Sequence, residues 1–281
     1  MSALADTATA PTARPGLGKA FVDGAVVAKR NLIKIRRVPD LLVFSTISPI
    51  MFILLFAYIF GSAIAAPKGV SYREFLIPGI FAQTVIFGAT ITGAGLAEDI
   101  QKGIIDRFRS LPMSRSAVLV GRTTSDLLNN VLVIVIMSLT GLIVGWRITS
   151  SFADAVAGFF LLLAFAYAMS WIMALVGLVV PTPEVVNNAS FVVIFPLTFI
   201  ANTFVPTTHF PSVLKTIANW NPVSSVTQAA RQLFGNTGTG PLPTAPWSLH
   251  HPVLYTLIWV VGLLLVFVPL SVRQYKRATS R

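Results

Sequence analysis

The sequence predicts an all-α integral membrane protein with six transmembrane helices and both termini in the cytoplasm. Three observations carry that prediction. Hydrophobic residues make up 54% of the 281 positions and charged residues 11%, with a mean hydropathy of +0.77. A water-soluble fold of this size cannot bury so much apolar surface, whereas lipid-facing helices need not bury it. The apolar residues gather into six stretches of about 20 residues or more, enough to cross ~30 Å of hydrocarbon as helix, and no ten-residue alternating strands of a membrane barrel occur. Finally, 16 of the 21 Lys and Arg fall on one side of those stretches. Only Lys68, Arg73, Arg147, Lys215 and Arg231 fall on the other, so the positive-inside bias places the N- and C-termini inside.

Residues 1–20 are small and polar, and read as a disordered cytoplasmic tail; no cleavable signal is expected, since the first long apolar run begins near Leu41. In 21–38, Phe21, Ala25, Ala28, Leu32 and Ile35 share one helical stripe while Arg30, Lys34 and Arg37 share another. That pattern suits an amphipathic helix in the cytoplasmic interface, or else a basic flank without fixed structure. The membrane domain follows over 39–281, with spans at about 41–63, 75–97, 119–145, 154–180, 185–204 and 252–272. The fourth and fifth spans are joined only by the tight turn Pro181-Thr182-Pro183-Glu184.

Between the second and third spans lies a charged island, six of the twelve residues from Glu98 to Arg109. Such charges cannot sit in hydrocarbon, where each costs on the order of 3 kcal/mol. On helical spacing Ile100, Ile104, Phe108 and Leu111 form an apolar stripe, with Lys102, Asp106 and Arg109 turned elsewhere. Pro112 removes a donor and stops the helix, and Ser114 can cap the next one. The predicted element, 98–112, is a short amphipathic helix on the cytoplasmic face. It is either a docking surface for another protein or a loop helix resting on the membrane. Before the last span, 205–235 holds two more short amphipathic helices. Pro211 opens one ahead of Val213, Leu214, Ile217 and Trp220. Asn221-Pro222, a cap and a first-turn proline, opens the other ahead of Val226, Ala230, Leu233 and Phe234.

Inside the spans, Gln83, Thr84, Asn129, Asn130, Asn187, Asn188 and Ser190 are polar where polarity is expensive, and Phe52, Phe56, Phe81, Phe87, Phe191 and Phe195 supply aromatic surface. Asp126 lies one turn beyond Arg122, which predicts a local pair rather than a proton relay. There is no cysteine and no G-x-x-x-x-G-K-[ST]; around Gly18-Lys19, Ala13 and Ala20 occupy positions that need glycine and Ser/Thr. The chain is therefore expected to have no ATPase site, no catalytic residues and no bound cofactor. His209, His250 and His251 make a poor metal site. The basic residues flank spans instead of gathering on a soluble face, so no nucleic acid partner is expected. An intramembrane enzyme would need carboxylate or histidine clusters within the spans, and a channel a filter-like polar run; neither is evident.

Gly103-Ile-Ile-Asp106-Arg107-Phe108-x-x-x-Pro112-x-Ser114-Arg115 resembles the signature of ABC-2 type ABC-transporter permeases, nearest the daunorubicin/doxorubicin-resistance, DrrB-like branch. Gln101 departs from it, where many members carry an acid. The resemblance implies that 98–112 is a coupling helix docking on a separate ATPase, with Gly103, Asp106, Arg107, Phe108 and Pro112 transmitting the motion. It also implies that 205–235 is an external re-entrant hairpin carrying the Asn221-Pro222 motif. The first, second and fifth spans would then form the dimer interface and substrate path, through Phe52, Phe56, Gln83, Phe87, Asn187, Asn188 and Phe191. The implied partners are two cytoplasmic ATPase subunits, which bind the ATP and Mg2+, a second permease copy or a related permease, and the bilayer of a bacterial cell membrane. The implied cargo is an amphipathic, anthracycline-like drug or a complex lipid, or alternatively a polysaccharide or polyprenyl-linked glycan.

Overall fold

A computed structural model describes residues 39–61, 64, 66–104, 117–207, 210–238 and 246–278. The tail and interfacial helix expected over 1–38, and positions 105–112 of the charged island, lie outside the described residues. The helices are α1 (Pro39–Leu54), continued as π-helix over Leu55–Phe60, α2 (Tyr72–Gln101), α3 (Ala117–Val144), α4 (Phe152–Val179), α5 (Pro183–Ile200), α6 (Ser212–Trp220), α7 (Pro222–Phe234), α8 (Trp247–His250) and α9 (Pro252–Ala278). No strand occurs among the described residues.

Five of these helices, α2, α3, α4, α5 and α9, are long and apolar enough to cross a membrane; the first predicted span is instead a shorter apolar helix over Thr46–Phe60. That helix closes at Gly61, before the expected end at 63. A Cβ on Gly61 would stand 2.3 Å from the Ala57 carbonyl oxygen, so the wide π turn ends where no side chain fits.

Caps explain the other boundaries. Ser71 and Glu74 form a reciprocal capping box: the Glu74 amide donates to Ser71 Oγ at 3.3 Å, and the Ser71 amide donates to Glu74 Oε2 at 2.8 Å. That box starts α2 at Tyr72, ahead of the predicted 75. Ser151 caps α4 through the Asp154 amide, Thr182 caps α5 through the Val185 amide, and Asn221 caps α7 through the Val223 amide. At its other end α2 runs on to Gln101, so the first turn assigned to the charged island belongs to the spanning helix. Gly103, at φ +64°, then turns the chain in a conformation that L side chains rarely adopt.

Helix α2 is the hub of the bundle. It packs along α4 and also touches α3, α5 and α7, while α4 packs in turn against α9. Backbones meet where α2 crosses α4: a Cβ on Gly177 would lie 2.2 Å from the Gly93 carbonyl oxygen. Small residues at such crossings gain dispersion contact, the main attraction between helices in lipid. Near the 145–151 turn, Phe81, Trp146 and Phe234 meet edge to face at 5.3–6.4 Å, and Trp146 Nε1 donates to Asn236 Oδ1 at 2.8 Å.

The two amphipathic helices before the last span differ from one another. α6 begins at Ser212, with Pro211 as its cap, and exposes Val213, Leu214, Ile217 and Trp220 while burying only Ala218. α7 is inside the bundle, with Val223, Val226, Ala230 and Phe234 fully buried against the core.

Candidate functional site

A cavity of about 380 Å3 opens between α1, α2, α3 and α5. Gln83, Thr84 and Phe87 reach it from α2, Asn129 and Asn130 from α3, Phe52 from α1, and Phe191 and Phe195 from α5. Helical spacing explains the convergence: 83 and 87 lie one turn apart on α2, and 191 and 195 one turn apart on α5. Of the sequence-predicted path residues, the structure brings Phe52, Gln83, Phe87 and Phe191 together. Phe56 stands beside the cavity instead of lining it, and Asn187 and Asn188 are exposed on the outer face of α5. Phe81 sits in the aromatic core near Trp146.

From this cavity a file of phenylalanines leads along α5 to the end of α1. Ring centroids are 6.4 Å apart for Phe87–Phe191, 4.9 Å for Phe191–Phe195, 4.1 Å for Phe195–Phe199 and 4.8 Å for Phe199–Phe204. The file crosses to α1 at Phe204–Phe56, 4.6 Å, and ends at Phe56–Phe60, 5.0 Å. Phe191 is 55% exposed and Phe60 39%, so the file presents faces and edges beyond the bundle. Phe199 and Phe204 were not singled out in the sequence. The four-residue spacing of 191, 195 and 199 carried the signal for the first, but nothing marked the second, which follows the helix end.

A polar knot ties α2 to α3 at the end nearest the charged island. Arg122 Nε lies 3.3 Å from Asp126 Oδ2, Thr92 Oγ1 donates to the same carboxylate at 2.6 Å, and Arg122 Nη2 donates to the Ile91 carbonyl at 3.0 Å. This is the local pair expected from the spacing, and it also reaches across to the neighbouring helix. Gly103, with Lys102 paired to Glu98, follows the end of α2. Asp106, Arg107, Phe108 and Pro112 lie outside the described residues.

At the opposite end, one polar stripe of α7 holds the last turn of α5. Asn221 Nδ2 donates to the Leu197 carbonyl at 2.7 Å, and the Asn202 amide donates to Ser224 Oγ at 3.1 Å. Arg231, 1% exposed, donates through Nε to the Phe75 carbonyl and through Nη2 to the Asn202 and Thr203 carbonyls, at 2.7–3.0 Å. Its guanidinium also lies 3.5 Å over the Phe75 ring. The carbonyls left over at the end of a helix need such donors when buried. In the sequence Arg231 is one of five basic residues on the exterior side, and nothing there marks this role. Asn221-Pro222, expected as a cap and first-turn proline, is found as both.

A family profile described as ABC-2 type transporter matches residues 25–234, and the chain belongs to that family. It is 33% identical over 251 residues to the daunorubicin resistance ABC transporter permease protein DrrB1 of Streptomyces coeruleorubidus, covering 89% of this chain and 85% of that one. Proteins named as the ycf38 transport permease are more distant. That of Cyanophora paradoxa is 25% identical over 218 residues, covering 75% and 74% of the two chains, and that of Porphyra purpurea 23% over 214, covering 75% and 73%.

Proposed function

We propose that this chain is the permease subunit of an ATP-driven exporter that moves amphipathic, anthracycline-like drugs or complex lipids out of a bacterial cell. The observation that carries this reading is the cavity of about 380 Å3 with the phenylalanine file leading from it. Its volume falls in the ~300–1,000 Å3 range of small-molecule sites. The similarity to a daunorubicin resistance permease supports the same substrate class.

The topology proposed is six spans, the first formed by α1 and its π continuation, with both termini cytoplasmic. In that frame the cavity lies near mid-bilayer, because Gln83 and Asn130 are both well inside their helices. The file then runs from the cavity toward the exterior, and each ring offers an apolar contact without a directional bond. A flat amphiphile can therefore step along it without crossing a deep energy well. A second permease copy or a related permease would cover the exposed rings of α1 and α5.

ATP and Mg2+ belong to two partner ATPase subunits, and the segment 98–112 receives their motion through Gly103, Asp106, Arg107, Phe108 and Pro112. The Arg122–Asp126–Thr92 knot makes α2 and α3 move as one unit. Those two helices carry Gln83, Phe87 and Asn130, so a pull on the segment between them displaces two walls of the cavity relative to α5. At the other end the Asn221-Pro222 helix anchors α5.

The test is ATP-dependent daunorubicin accumulation in everted vesicles containing the chain and a P-loop ATPase from a neighbouring reading frame. Phe87→Ala and Phe191→Ala should each lower accumulation several-fold without lowering permease abundance. Wild-type accumulation in both variants would refute the path.

A further inference from the structure

A second cavity, of about 320 Å3, lies on a different side of α5, between α4, α5 and α9. Helix α5 packs along α2 but meets α4 only briefly, which leaves this space. Ile172, Met173 and Val176 of α4 and Trp259 and Leu263 of α9 form its walls, and Ala189 and Val193 of α5 edge it. These positions lie well inside their helices. Ala189 is exposed and Val193 is 65% exposed, and Ile258, Val261 and Leu265 of α9 are exposed as well. The cavity therefore opens sideways, onto the apolar surface that a membrane protein turns to lipid. Among the described residues no ionisable side chain lines it. Its hydroxyl, Ser190 Oγ, donates to the Val186 carbonyl at 2.5 Å, and the indole nitrogen of Trp259 is itself buried.

Such a lining offers a ligand no hydrogen bond. Water needs several polar partners to stay in a cavity and finds none here. A drug bearing hydroxyls or an amine would give up its own hydrogen bonds on entering. A hydrocarbon chain gives up nothing, because lipid tails are as apolar as the lining, and it restores the dispersion contacts that an unfilled gap forfeits. Met169 and Met173 suit such a guest, since a flexible thioether adapts to an irregular partner. The opening is continuous with the lipid-facing surface, so a chain enters without crossing the protein. We infer that one acyl chain of a bilayer phospholipid lodges between α4, α5 and α9 as a resident ligand, apart from the transported molecule. Phe191 and Phe195 line the first cavity from α5, so the lipid site adjoins the path without sharing those rings.

The test places the full-length chain in phosphatidylcholine nanodiscs doped with an analogue that carries a diazirine midway along one acyl chain. After irradiation, labelled positions are read by mass spectrometry. Adducts should form on Ile172, Met173 or Val176, on the inner wall, as well as on Leu265, which is 71% exposed. Ala189→Phe and Val193→Phe each put a ring at the opening, and because both positions are exposed neither disturbs the packed core. Each should lower inner-wall labelling about fivefold or more and leave that of Leu265 unchanged. Labelling confined to Leu265 and other exposed positions would overturn the site, as would inner-wall labelling indifferent to both rings. Excess daunorubicin should leave the inner-wall adducts in place. If it removes them, the cavity belongs to the drug and the lipid assignment fails, while the transport reading stands.

Discussion

Arg231 shows how much depends on a single side chain. Three carbonyls, that of Phe75 in α2 and those of Asn202 and Thr203 in the turn after α5, share its donors, so one residue fixes the end of α5 against α2. Arg231→Met keeps an apolar stem but removes all three of these buried hydrogen bonds, and should destabilise the fold by on the order of 3 kcal/mol. Arg231→Lys should recover only part, because an ammonium cannot reach carbonyls on two sides as a planar guanidinium can. Thermal unfolding of the purified chain in detergent measures both, and an unchanged midpoint in Arg231→Met would remove the clamp. None of this was legible in the sequence, where a lone arginine on an amphipathic stretch reads as a surface charge. Phe108 is the converse case, singled out by motif alone. Filling a cleft on the ATPase would contribute on the order of 2 kcal/mol. Phe108→Ala should therefore weaken ATPase co-purification about tenfold or more, roughly 1.4 kcal/mol being one decade. Asp106→Arg should weaken it further, through an unpaired charge at the contact. Full co-purification and transport in both variants would make the segment a plain loop.

Helices were easier to read than their surroundings. Apolar runs of span length placed α2, α3, α4, α5 and α9 within a few residues, because in lipid a backbone must satisfy itself and leaves little alternative to helix. Their ends shifted for local reasons: the Ser71–Glu74 box lengthened α2, and α5 stops at Ile200, where Asn221 takes up the Leu197 carbonyl of its last turn and Ser224 the Asn202 amide just beyond it. The contrast between α6 and α7 was not legible, since both carry an amphipathic pattern. Only the tertiary fold shows that the polar stripe of α7 faces α5 while the apolar residues of α6 face outward. Which apolar positions meet was hidden as well. Gly93 and Gly177 are separated by 84 positions, and nothing in a single chain pairs them. Since a Cβ on Gly177 would stand 2.2 Å from the Gly93 carbonyl oxygen, Gly177→Ala should force the helices apart at a cost of about 1–3 kcal/mol. Gly262→Ala, where a Cβ meets nothing within 4 Å, is the matched control. Equal unfolding midpoints for the two variants would show that the crossing is not tight.

The distribution of charge across the protein leads to a prediction independent of any single contact. On the proposed six-span topology 16 of 21 basic residues share one side, and reversing the orientation would carry most of them across the bilayer. The exceptions support the bias in an unexpected way. Arg231 is buried among carbonyls, and Arg73 Nη1 donates to the Val144 carbonyl at 2.9 Å, beside the end of α3. Both are thus committed to holding helix ends, which leaves fewer free positive charges on that side than a count suggests. The absence of cysteine makes the orientation directly measurable. Ser71 and Ser151 would be poor reporters, because each caps a helix and its loss costs about 1 kcal/mol. Lys68 is exposed in the turn before α2 and makes a better one. Lys68→Cys and Thr239→Cys should react with a membrane-impermeant maleimide in intact cells, and Ser280→Cys only after permeabilisation. Labelling of Ser280→Cys in intact cells would reverse the C-terminus. It would also move the segment between α2 and α3 to the face where no ATPase is found, and the coupling proposal would fall with it.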